Sequence, residues 1–156
     1  MATAFIGLGS NVGDREGTLK RAVERLRSVP ETTVTAVSKW TETDPVGGPP
    51  QGTYFNGVVQ IQTSLKPKTL LSYFQEIEQA FGRPESHVHW GPRVIDLDLL
   101  TYDDLVLEEP DLVLPHPRLH ERPFVLIPLA QIAPTWRHPK LGKSAKELLE
   151  DHPALI

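Results

Sequence analysis

The run Val94-Ile95-Asp96-Leu97-Asp98-Leu99-Leu100-Thr101-Tyr102 sets Ile95, Leu97 and Leu99 against Asp96 and Asp98 with a period of two. That alternation is the pattern of a strand with one apolar and one acidic face. Upstream, Pro67 suits the first turn of a helix whose core stripe is Leu70, Phe74, Ile77 and Phe81, with Gly82 as its stop. Earlier still, Val59 and Ile61 alternate with Gln60 and Gln62, a strand with one semi-polar face. Thr32 to Lys39, rich in Thr and Val, reads as another strand. Leu19, Ala22, Val23 and Leu26 recur at helical spacing between the candidate cap Asp14 and the breaker Pro30. Ala2 to Leu8 is a short apolar strand that ends in Gly9-Ser10-Asn11.

The resulting order is strand, helix, strand, strand, helix, strand. It predicts an α+β fold: a ferredoxin-like split βαβ arrangement, with an antiparallel sheet and helices packed on one face. Beyond Tyr102, Asp103-Asp104 reads as the tip of a hairpin that returns through Leu105 to Leu107. Pro123 to Ile132 and Ser144 to Glu150 read as a short helical C-terminal extension. No repeat or linker divides residues 1–156, so one domain is expected. A domain of that size buries roughly 68–70% of the surface its unfolded chain exposes, which provides a core without staples.

Composition narrows the function classes. The chain has no cysteine, which excludes disulfides, thiolate metal sites and cysteine nucleophiles and fits a cytoplasmic setting. The net charge of −4 offers no field for a polyanion, and no stretch approaches the roughly 18 apolar residues of a membrane span. Neither nucleic acid nor membrane is therefore an expected partner. The expectation is a soluble monomer without a targeting segment that acts on small molecules. Its 15 prolines in 156 residues are about twice ordinary usage. They concentrate between Asp44 and Pro50 and after Pro84, which implies defined loops.

Asp96 and Asp98 lie two apart in a strand, so both carboxylates leave one face, with Cα atoms ~6.5–7 Å apart. A hard divalent cation is one remedy for their repulsion, and a solvated sheet face is the other reading. Trp90-Gly91-Pro92-Arg93 runs directly into this strand and brings a flat ring and a permanently charged guanidinium beside them. Arginine suits phosphate, although an Arg–Asp salt bridge uses the same residues. Gly7-Leu8-Gly9-Ser10-Asn11-Val12-Gly13 has its third glycine one place late for a dinucleotide fingerprint and reads better as a tight strand-to-helix turn. Pro115-His116-Pro117-Arg118 holds a histidine between rigid prolines, followed by Arg122 and Phe124.

Taken together, Gly9-Ser10-Asn11, Thr43-x-Pro45, Tyr54-x-Asn56, Gly82-Arg83, Trp90-Gly91-Pro92-Arg93-x-x-Asp96-Leu97-Asp98, Pro115-His116 and Arg122-x-Phe124 resemble the hydroxymethyldihydropterin pyrophosphokinases of folate biosynthesis. The resemblance spans nearly the whole chain, and the run from Trp90 to Asp98 is its most specific part. It implies an enzyme that moves the pyrophosphoryl group of ATP to the hydroxymethyl group of 6-hydroxymethyl-7,8-dihydropterin and releases AMP.

By that resemblance, Asp96 and Asp98 would hold two magnesium ions, and Arg83, Arg93, His116 and Arg122 would contact the phosphates, with Arg83 and Arg93 in catalytic positions. Tyr54 and Phe124 would sandwich the pterin ring, while Asn56 and the loop with Thr43, Pro45 and Val46 would meet its polar edge. Trp90 would close over the assembled site, and Leu71, Gln75, Glu78, Leu99 and Val113 would lie near the nucleotide. Some family members carry arginines where this chain has Glu85 and His89, and an aromatic residue where it has Pro117. The loops from Thr43 to Gly52 and from Arg83 to Pro92 are expected to act as lids. Three alternatives remain open on the residues alone: another magnesium-dependent nucleotide transferase, an RNA-binding module that stacks bases on Tyr54, Phe55 and Trp90, and a catalytically silent regulatory domain.

Overall fold

Asp14 starts the first helix as expected, its side chain accepting the Gly17 N–H at 3.1 Å. A computed structural model of the chain describes residues 1–10, 14–43, 54–81 and 94–152. Helix α1 (Arg15–Arg27) follows β1 (Ala2–Ser10) and buries Leu19, Ala22, Val23 and Leu26. Pro67 opens α2 (Pro67–Ala80), which buries Leu70, Phe74 and Ile77, while Phe81 caps its end. Both helices thus show the faces that their spacing predicts.

The strands β2 (Thr32–Val37), β4 (Tyr54–Thr63) and β5 (Asp96–Tyr102) join β1 in one antiparallel sheet of order β2-β4-β1-β5. This is the ferredoxin-like order, and it leaves β5 on an edge. The second strand is shorter than read, because Ser38 diverts the chain. Its hydroxyl accepts the Val58 N–H at 2.9 Å and donates to the Lys39 carbonyl at 2.9 Å. The chain then rejoins β4 as β3 (Thr41–Thr43).

The expected return hairpin after Tyr102 does not form. Asp103 adopts φ 50°, its N–H donates to the Thr3 carbonyl at 2.7 Å, and its carboxylate accepts the Thr3 N–H at 2.7 Å. That exchange extends the β1 edge instead of turning the chain back on β5. The hairpin comes later, between β6 (Leu107–Glu109) and β7 (Leu112–Leu114).

Helices also cover both faces of the sheet. On one face Ala4, Ile6, Leu8, Ile61, Leu97 and Leu99 pack with α1 and α2 in the larger core. On the other, Phe5, Val58 and Leu100 meet α3 (Pro123–Ile132) and α4 (Ala145–Glu150), whose Leu126, Leu129 and Leu148 close a second, smaller core. Phe5 and Trp136 meet edge to face at 6.2 Å. Ser144 and Glu147 complete a capping box at the start of α4. No helix among the described residues is long and apolar enough to cross a membrane.

Candidate active site

Strand β1 lies between β4 and β5, and its register with both assembles the site. Gly9 stands opposite Asp96 on one side and Asn56 on the other, and Asn56 in turn stands opposite Thr41. One row deeper, Gly7 stands opposite Asp98 and Val58. Directly opposed residues of antiparallel strands project to the same face. Asp96, Asp98 and Asn56 therefore rise from the face that carries the smaller core, and Tyr54, two residues from Asn56, shares it. Leu97 and Leu99 project to the other face, 4% and 3% exposed, whereas Asp98 is exposed and Asp96 half-buried.

The glycines of β1 form the floor between these groups. A Cβ added at Gly9 would stand 2.7 Å from Asn56 Oδ1 and 3.6 Å from the Tyr54 ring, so the missing side chain is what lets Asn56 lie across the strand. Beside β5, the chain after β7 passes through a cis Leu114–Pro115 bond, and the His116 N–H donates to the Leu100 carbonyl at 2.8 Å. The Arg118 N–H donates to His116 Nδ1 at 3.3 Å, which leaves the Nε2 position to carry the proton of the neutral ring. Burial pushes this imidazole below its usual range; the Asp98 carboxylate opposes that, and the Arg122 and Arg118 guanidinium groups reinforce it. Asp98, His116 and Arg122 thus share one neighbourhood. Arg122 lies 5.6 Å from the centre of the Phe124 ring, at the first turn of α3.

The residues expected near the nucleotide separate into groups. Leu71, Gln75 and Glu78 follow one side of α2 at i, i+4 and i+7; Leu71 is half-buried and Gln75 exposed. Glu78 is 8% exposed, and its carboxylate accepts the Leu97 N–H at 2.9 Å. Leu99 packs into the larger core, and Val113 is exposed on β7. The Glu78 bond was not read from the sequence, although a signal exists: Glu78 falls at i+4 from Phe74, on the buried stripe of α2.

A further unanticipated contact lies beside the site, where Arg15 stacks over Phe55 at 4.4 Å and pairs with Glu42 at 3.4 Å. Thr43 ends β3 opposite Tyr54. Pro45, Val46, Arg83, Trp90 and Arg93 lie outside the described residues, as do Asn11, Glu85, His89 and both loops expected to act as lids.

Among the described residues no group of three or more histidine or acidic side chains could cage a metal. The donor set suits a hard cation that takes two carboxylates from protein and completes its shell with water and substrate oxygens.

The chain matches the family model described as 7,8-dihydro-6-hydroxymethylpterin-pyrophosphokinase over residues 5–134. A protein of Bacillus subtilis named 2-amino-4-hydroxy-6-hydroxymethyldihydropteridine pyrophosphokinase is 50% identical over 129 residues, which span 83% of this chain and 77% of that protein. A protein of the same name from Synechocystis is 44% identical over 147 residues, 94% of this chain and 74% of that one. Among solved structures, wild-type HPPK-DHPS of Plasmodium falciparum with pteroate superposes with a TM-score of 0.77 at 14% identity. The match covers 98% of this chain and 42% of that one, and at that identity it speaks for the fold alone.

Proposed function

The chain belongs to the 7,8-dihydro-6-hydroxymethylpterin-pyrophosphokinase family, and we propose that the face bearing Asp96, Asp98 and Asn56 is where it performs that family's reaction. The enzyme transfers pyrophosphate from ATP to the hydroxymethyl group of 6-hydroxymethyl-7,8-dihydropterin in folate biosynthesis. The hydroxymethyl oxygen forms a bond to the β-phosphorus, the bond from that phosphorus to the oxygen bridging to the α-phosphate breaks, AMP leaves and the hydroxyl proton passes to solvent.

The observation that carries the assignment is the row Asp96, Gly9, Asn56 across three strands. Neighbouring strands lie about 4.8 Å apart, so the acidic residue and the amide face one another across roughly 10 Å with only a glycine beneath. A pterin whose polar edge meets Asn56 then directs its hydroxymethyl arm toward the carboxylates. The Asn56 amide offers both a donor and an acceptor, as a lactam edge requires. Tyr54 and Phe124 stack on the ring.

Asp96 and Asp98 hold magnesium, two ions in this reading, which when bound draws charge from the phosphate oxygens and the attacking hydroxyl. Arg122 donates to the phosphates as a fixed cation, and neutral His116 donates through Nε2. Leu71, Gln75 and Val113 border the nucleotide in the roles that the resemblance implies, whereas the Leu99 side chain is taken up by the larger core. Arg83, Arg93, Trp90, Thr43, Pro45 and Val46 complete the set in the roles that the resemblance implies. The enzyme works as a monomeric single catalytic domain in the cytoplasm and binds neither nucleic acid nor membrane.

Incubation with ATP, magnesium and 6-hydroxymethyl-7,8-dihydropterin should yield AMP and the pterin diphosphate in equal amounts. ADP as the sole nucleotide product would overturn pyrophosphoryl transfer.

A further inference from the structure

Strand β5 carries both carboxylates, yet among the described residues its ladder partner is β1, and beyond the His116 N–H on the Leu100 carbonyl no strand pairs with its other side. Edge strands twist and fray more readily than central ones because half of their backbone groups lack a ladder partner. A pair of metal ligands on such a strand needs another source of rigidity, since ligands displaced by a fraction of an ångström no longer meet an octahedral cation. The Leu97 amide lies between Asp96 and Asp98, and it donates to the Glu78 carboxylate at 2.9 Å. Glu78 sits in the last turn of α2, is 8% exposed, and follows Phe74 and Ile77, which are anchored in the larger core. Leu97, 4% exposed, enters the same core.

We propose that Glu78 is a positioning residue for the Asp96 and Asp98 pair: its carboxylate clamps the amide between them to α2 and so sets the spacing and direction of the two metal-binding groups. This rests on the assignment of those aspartates as magnesium ligands, and it gives Glu78 a role other than touching the nucleotide. A carboxylate accepts a backbone amide through a charge-assisted bond, stronger than a water molecule at an open edge would supply. The site therefore receives its precision from a helix outside the row of ligands, as outer groups orient inner ones at metal centres generally.

The test is a manganese titration of the full-length protein in the presence of a non-hydrolysable ATP analogue, with free Mn2+ read by electron paramagnetic resonance. Three variants separate reach from charge. Glu78→Gln keeps an acceptor at the same distance, Glu78→Asp keeps the charge and withdraws the acceptor by one methylene, and Glu78→Leu removes both.

Half-saturation should rise about tenfold in the Asp and Leu variants and stay within about threefold in the Gln variant, the scale of losing one charge-assisted hydrogen bond. Affinity for the analogue at saturating metal should be the same in all. If Gln weakens metal binding and Asp does not, the reach of the acceptor is not what holds the strand and the clamp is wrong. If all three weaken the analogue at saturating metal while the Mn2+ midpoint holds, Glu78 touches the nucleotide and the proposal falls. Should the Leu variant fail to fold, the Asp and Gln pair still decides, and hydrogen exchange of the Leu97 amide in the unaltered protein adds a check. That amide should exchange as slowly as its neighbours in β1; exchange at the rate of an open edge overturns the clamp. Asp96→Asn is the control. If it leaves the Mn2+ midpoint unchanged, the metal assignment fails and takes the clamp with it; if it shifts the midpoint while every Glu78 variant is silent, only the clamp fails.

Discussion

On one face of the sheet Ile6, Leu8, Ile61, Leu97 and Leu99 meet α1 and α2; on the other Phe5, Val58 and Leu100 meet α3 and α4 over part of the surface, and Asp96, Asp98, Asn56 and Tyr54 take the rest. The same three strands supply both faces. Because strand side chains alternate, neighbours in sequence have different duties: Leu97 is buried in a core while the residue on either side of it is acidic. Stability and chemistry are thereby separated by a single step along the chain, and substitutions one residue apart should have effects of different kind.

The sharpest test sets Asp98→Ala against Leu97→Ala. The first should cost about 10²–10³ in turnover, the scale of removing one preorganised electrostatic partner, with a stability change within about 0.5 kcal/mol. The second should cost about 2–5 kcal/mol of stability in urea denaturation while the folded fraction keeps most of its turnover. Equal destabilisation by both would erase the distinction between the faces.

The floor of the site is next. Gly9→Ala forces a Cβ against Asn56 Oδ1 at 2.7 Å and should raise the KM for the pterin about tenfold, or ~1.4 kcal/mol. Gly7→Ala meets the Leu100 side chain first, at 3.5 Å, an ordinary contact, and should leave that KM within about twofold, as a roomy position allows. Steady-state kinetics on the two variants compare the rows directly.

A smaller effect is expected in the second layer. Ser144→Ala breaks the capping box of α4 and should cost about 1 kcal/mol by thermal or urea melting, with turnover per folded molecule unchanged.

The smallest effect is a pH dependence. Burial, with His120 and Lys140 beside it, holds the His138 imidazole below its ordinary value of 6.5. The folded protein thus binds this proton less readily than the unfolded chain. The stability that follows is complete above about pH 6.5 and is lost as pH falls through the folded value. Urea midpoints taken from pH 7 downward should decline more steeply in the unaltered protein than in His138→Gln. A parallel decline in both would show that His138 contributes nothing to it.

These contrasts follow how legible each part was. The stripes of α1 and α2 and the alternation in β5 were readable because each depends on side chains within one element. The sheet order followed from the order of those elements, since split βαβ connections allow few alternatives. The return hairpin was misread because Asp103 exchanges hydrogen bonds with Thr3, a hundred residues away, and no local pattern reports such a partner. The break at Ser38 likewise depends on the Val58 amide. The second helical layer was seen as helices without a place to pack, because Val58 and Leu100 advertise burial but not by what. The carboxylate pair was legible as a pair, and its anchoring by Glu78 was not, for the same reason: sequence spacing describes a strand's faces and says nothing of its edge.

The division of the cores also bears on how the molecule is made. A chain that leaves the ribosome N-terminus first has, by Leu114, every strand of the main sheet and every member of the larger core. The smaller core is incomplete until Leu119, Leu126, Leu129 and Leu148 have been added. His116, Arg122 and Phe124 arrive in that same late stretch. The ferredoxin-like half can therefore gain its packing while the catalytic face is still open, and the nascent chain acquires a shape well before it acquires an activity.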